Sequence, residues 1–136
     1  MTPEEYIEKV LVTESGNWEE VRGRLDTVST IRLLHHALGI GTEAGELQDP
    51  IKKYIFYGKE IDLTNIEEEL GDILWYISGM IDTLRSLGRG VSFEILMKRN
   101  IKKLQERRYK GGKFSEEEAI NRDLDAEREV LGAVEE

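Results

Sequence analysis

Along most of this chain apolar residues recur every three or four positions, and runs of alternating polarity are short. That spacing is the helical period, so the pattern predicts an all-α protein, a helical bundle without strands. Between residues 29 and 48, Leu34, Ala37, Leu38, Gly41, Ala44 and Gly45 outline a broad apolar arc that predicts a core-facing helix. Opposite the arc runs a polar strip that carries Arg32, His35, His36, Gly39, Thr42, Glu43 and Glu46. In a second long helix, Thr64 and Glu67 have the form of a capping box, and Ile66, Leu70, Ile73, Ile77, Ile81 and Leu84 continue as its buried stripe. Gly88 and Gly90 close it. A third helix is predicted from about Ser92 to Arg107, with Phe93, Leu96, Met97 and Leu104 on its inner face.

The ends of the chain are less regular. Thr2, Pro3, Glu4 and Glu5 read as a helix start with proline at the first helical position, which would turn Tyr6, Val10 and Leu11 inward. Trp18 to Leu25 predicts a short helix. Pro50 limits the first long helix, and "IKKYIFYG" predicts a short helix that ends at a loop. After "YKGGK", Ser115 and Glu118 repeat the capping-box pattern and open a charged C-terminal helical extension, residues 115–136. At 136 residues the whole chain, 1–136, has the size of one domain.

Composition narrows the chemistry. There is no cysteine, so thiolates and disulfides are excluded and any metal must be held by oxygen or imidazole. The formal charge of -9 argues against a general grip on polymeric nucleic acid or on an anionic membrane. No apolar run approaches the roughly 20 residues that span a bilayer, so the expectation is a soluble, cytoplasmic protein.

Within that acidic background, two pairs of acids stand in otherwise apolar helices. Glu43 and Glu46 are three residues apart and share a helix face, as do Glu69 and Asp72. Packed antiparallel, the two helices would bring four carboxylates to one cleft, where they would repel one another unless cations joined them. Hard oxygen donors select Mg2+, or Mn2+ in its place. Gly41 and Gly45, on the apolar arc, predict tight helix packing, whereas Gly39 on the polar strip leaves room for a substrate.

On the third helix, Asn100 falls on the Phe93, Met97, Leu104 stripe, with Lys103 at the edge of the same face. The pattern accommodates two readings: an asparagine bonded to a neighbouring helix beside a snorkelling lysine, or an amide and a cation that reach a substrate. His36 lies seven residues before Glu43, on nearly the same stripe, and is a candidate substrate contact.

"TEAGEL" followed by "EEELGDILWYI" resembles the E-x-x-E and E-x-x-D motifs of the all-α nucleoside triphosphate pyrophosphohydrolases, the MazG-like superfamily. The downstream "NIKKLQERRYKGGKFSEEEAINRDLDAERE" is similar to the C-terminal segment of its small, phage-type members, and the likeness covers roughly residues 29–130. The resemblance implies magnesium-dependent cleavage of a standard or modified nucleoside triphosphate between its α and β phosphates, to the monophosphate and pyrophosphate. It implies metal binding by Glu43, Glu46, Glu69 and Asp72, and nucleotide contacts from Asn100, Lys103 and Tyr109. It also implies a homodimer or homotetramer. Many relatives carry two consecutive glutamates at the start of the first motif, and here the earlier position is Thr42, which cannot act as a base near neutral pH. Water activation would then fall to metal with Glu43 or Glu46, or the chain would be a catalytically silent nucleotide-binding or assembly protein of the same fold.

Overall fold

The computed structural model describes residues 1–109 and 112–132. Lys110 and Gly111 of the "YKGGK" stretch and the last four residues of the predicted C-terminal extension lie outside the described residues. Those described are helical, with no strand among them.

The chain forms α1 (Pro3–Thr13), α2 (Trp18–Leu25), α3 (Val28–Glu46), α4 (Gln48–Tyr57), α5 (Leu63–Ser86), α6 (Phe93–Lys103), α7 (Glu116–Ile120) and α8 (Leu124–Gly132). A π-helical turn, Leu104–Arg108, continues α6. Short side-chain caps start several of these helices by satisfying backbone N–H groups that have no partner in the first turn. Thr2 and Glu5 make a capping box at the predicted start of α1, and Asn17, Thr27, Ser92 and Ser115 cap α2, α3, α6 and α7.

Two boundaries differ from the sequence pattern. Pro50 does not end a helix: the chain breaks at Leu47, and Pro50 sits in the first turn of α4, where its missing N–H costs nothing. Thr64 is not the cap of α5, which begins one residue earlier; the Asp62 carboxylate accepts the Asn65 backbone N–H at 3.0 Å and does the capping.

The chain divides into two compact units, Met1–Thr83 and Leu84 onward. In the first, α3 and α5 run antiparallel, because partners climb along one helix as they descend the other. Arg32 pairs with Asp82 at 2.5 Å, the His36 ring lies against Gly79, and Gly39 lies against the Tyr76 ring. A Cβ added at Gly39 or Gly79 would sit inside 3.0 Å of the facing ring, so these two glycines permit the close approach. The prediction that Gly41 and Gly45 do so is corrected: within this chain nothing lies within 4 Å of either. Alanine at Gly39 or Gly79 should therefore destabilise the fold by up to about 2 kcal/mol, since overpacking against a ring outweighs the helix preference of alanine. Gly23→Ala, in the open on α2, should stabilise by about 0.5–1 kcal/mol, and urea melts of the three variants check both signs.

The larger correction concerns the apolar arc. The helix face that meets α5 is the polar strip, and the arc lies on the other side, with Leu34 46% and Leu38 61% exposed. Tyr6, Val10 and Leu11 of α1, and Leu70 of α5, are exposed too. Ile81 is the buried apolar residue of the first unit among those described.

In the second unit α8 packs on α6 and on the π-helical turn, with Val91 and Val130 buried. Glu127 is 4% exposed and takes both Arg122 Nε (3.2 Å) and Nη2 (2.7 Å), so the charged tail is not wholly a solvated face. Phe93, Leu96 and Met97, expected on an inner face, are exposed.

Candidate functional site

The antiparallel register of α3 and α5 decides which acids meet. Beyond the Gly39–Tyr76 contact, the next turn of α3 carries Glu43, and the preceding turns of α5 carry Asp72 and Glu69. These three side chains each offer a carboxylate oxygen within 4.8 Å of the others. Glu46, the fourth predicted acid, stands outside that trio and is exposed. It lines, with Glu69, Thr42, Asp49, Lys53, Asp62 and Asn65, an adjoining cleft of about 720 Å³.

The trio is unequal in its surroundings. Glu69 is 5% exposed, and its Oε1 accepts a hydrogen bond from Asn65 Nδ2 at 2.9 Å. Glu43 is half-buried and Asp72 exposed. Partial burial raises the Glu43 carboxyl above the usual glutamate value, and the Glu46 charge, a shared hydrogen bond with Glu69, and the charges of Glu69 and Asp72 push it the same way. Like charges this close repel one another, and the three carboxylate oxygens are donors of the kind a hard divalent ion takes, so these are the residues that could hold one.

Because its folded value is raised, Glu43 favours the metal-free fold while protonated. That contribution is complete at pH below the unfolded carboxylate range and is lost as pH rises through the raised value. Without metal, the wild type should lose heat stability relative to Glu43→Gln as pH climbs from about 4 to about 7, the range above an ordinary carboxylate. Paired scanning-calorimetry series in a chelator check the sign.

His36 is not at the cleft. It is 5% exposed and lodged against Gly79. Burial first, then the positive charges of His35 and Arg32, hold its pKa below the usual histidine value. His35, His36, Trp75 and Tyr76 form a run of tilted and edge-on ring contacts with centroids 4.9–6.5 Å apart. Thr42 Oγ1 donates to the Gly39 carbonyl at 2.9 Å, with Glu43 Oε1 a longer second partner at 3.4 Å, so its hydroxyl stays on its own helix beside the trio.

The remaining candidates belong to the second unit. Asn100 is exposed on α6, so its amide reaches solvent and needs no helix partner. Lys103 is half-buried at the last position of α6, where the π-helical turn begins. Tyr109 follows that turn, half-buried, with its ring 5.7 Å from Phe114.

Sequence reasoning missed Asn65, Asp62 and Lys53. Asn65 had a signal: it stands four residues before Glu69, the spacing at which helix side chains meet. Lys53 had none, because α4 and its turn bring it to the cleft.

A family model described as the MazG nucleotide pyrophosphohydrolase domain matches residues 34–111, a stretch that includes all four acids. The chain is also similar to Gene 37 protein of Mycobacterium phage L5, with 31% identity over 94 residues that cover 65% of this chain and 77% of that protein. No solved structure matches.

Proposed function

We propose that this chain, which belongs to the MazG nucleotide pyrophosphohydrolase domain family, hydrolyses a nucleoside triphosphate at the α-β phosphate bond. The observation that carries the proposal is the convergence of Glu43, Glu69 and Asp72 from two antiparallel helices. In this reading the trio holds Mg2+ or Mn2+, which when bound would offset the triphosphate charge and acidify an attacking water. Glu46, beside the trio and open to the cleft, takes the proton of the water that attacks the α phosphorus, and pyrophosphate leaves. Thr42 takes no part in that proton transfer, because its hydroxyl neither ionises near neutral pH nor points free of its helix. Lys53 gives the acidic cleft a cation suited to phosphate. Asn100, Lys103 and Tyr109 are proposed as nucleotide contacts on the family resemblance.

The fold contributes a second element to the proposal. Ile31, Leu34 and Leu38 on α3, and Leu70 and Leu74 on α5, are exposed, while the first unit buries little apolar surface of its own. Covered, five such side chains remove several hundred Å² of apolar surface from water per copy, short of the ~800 Å² per partner of a stable interface, the rest of which a polar rim would supply. We assign these exposed faces of α3 and α5 to contacts with further copies of the chain, in a homodimer or a dimer of dimers. Gly41 and Gly45 continue the Ile31, Leu34, Leu38 stripe at helical spacing and would admit a partner helix closely.

The test is a panel of standard and modified nucleoside triphosphates incubated with Mg2+. The expected products are a nucleoside monophosphate and pyrophosphate from at least one substrate; tight binding without turnover across the panel would instead mark a silent binding protein.

A further inference from the structure

The chain buries two glutamates, and it treats them differently. Glu127 is clasped by two nitrogens of the Arg122 guanidinium, Nε and Nη2, a pairing that cancels its charge. Glu69 is equally buried, yet besides the hydrogen bond it shares with Glu43 its partner is a neutral amide, Asn65 Nδ2, and among the described residues no ion pair reaches it. An arginine or lysine at that place would compete with an incoming cation. An amide satisfies one carboxylate oxygen and leaves the negative charge intact.

Asn65 is itself held. It occupies the third position of α5, where its backbone N–H donates to Asp62 Oδ1, and its side chain reaches one turn along the helix to Glu69. A carboxylate oxygen accepts, so the amide turns its NH2 toward Glu69 Oε1 and restrains that carboxylate's rotation beside Glu43 and Asp72.

We infer that Asn65 is a positioning residue for the cation site: through its hydrogen bond to Glu69 Oε1 it orients a buried carboxylate toward a divalent ion. The inference rests on the reading that Glu43, Glu69 and Asp72 hold such an ion. Ligand-orienting hydrogen bonds of this kind typically contribute about 10–100-fold in metal affinity.

The test uses Mn2+ alone, titrated calorimetrically into the full chain without nucleotide, so that any contact of Asn65 with substrate plays no part. Asn65→Leu, close in shape but without a donor, should bind Mn2+ about 10–100-fold more weakly than wild type, and Asn65→Gln, which keeps a donor, should recover most of the loss. Circular dichroism establishes that each variant is helical. Should Asn65→Leu fail to fold, Asn65→Ser decides, because its hydroxyl is too short to reach Glu69; it should show the same weakening. Equal Mn2+ affinity in wild type and in a folded donor-free variant overturns the role of Asn65 and leaves the cation site standing. A wild type that binds no Mn2+ overturns the cation site and this inference together.

Discussion

Glu69→Gln should lower the rate of pyrophosphate release by on the order of 10³-fold, beyond the 10–100-fold typical of residues that only orient a ligand. The same variant should melt no lower than wild type when metal is absent. Both outcomes follow from one geometry. The glutamine has the size of the side chain it replaces and its carbonyl oxygen can still accept from Asn65, so the packing between α3 and α5 is kept. What disappears is a negative charge close to Glu43 and Asp72, which relieves repulsion in the empty site and removes a cation ligand from the working one. A buried glutamate that served only the fold would behave in the opposite way, with a lower melting temperature and activity changed no more than the folded fraction. Activity and stability measured on one preparation therefore separate the two roles.

Leu38→Asp should convert the protein from an oligomer to a monomer and lower its melting temperature with it. A charge placed at a buried contact carries a desolvation cost of several kcal/mol, enough for a shift of at least about 10²-fold in the association constant. Leu38 is 61% exposed in the single chain, so a monomeric protein would tolerate the change within about ±0.5 kcal/mol, as surface sites usually do. Sedimentation equilibrium across micromolar concentrations reads the difference. A wild type that sediments as a monomer overturns the assignment to a second copy, and a different protein partner would then be the occupant to look for.

The helices themselves were legible because their signals are local. Thr2 before Pro3, and Ser115 before Glu118, lie within one turn of the backbone groups they satisfy, and no tertiary contact is needed to read them. The pairing of Glu43 with Glu69 and Asp72 was legible for a related reason: three-residue spacing puts acids on one face, and α3 and α5 are long enough to align those faces.

What the pattern misassigned is the direction each face points. A wide apolar arc on α3 says only that the arc will be covered, not that this chain covers it; the face that packs on α5 is the one with His36, Gly39 and Glu43. The glycines follow suit. Gly39, assigned to substrate space, admits the Tyr76 ring, while Gly41 and Gly45, assigned to packing, meet nothing within 4 Å in this chain. Glu46 shares a face with Glu43 in sequence, yet one turn of rise carries it past the end of the trio and into the adjoining cleft. Asn65 was overlooked because a polar residue in the first turn of a helix is ordinary, and only the burial of Glu69 gives its amide a purpose.

The central claim, that these carboxylates serve an attack by water on the α phosphorus, is tested most directly by running the Mg2+-dependent reaction in ¹⁸O-labelled water. The account predicts one ¹⁸O in the nucleoside monophosphate and none in the pyrophosphate, with the reaction lost in Glu69→Gln. Label in the pyrophosphate, label in inorganic phosphate released with a nucleoside diphosphate, or undiminished turnover by Glu69→Gln would contradict it.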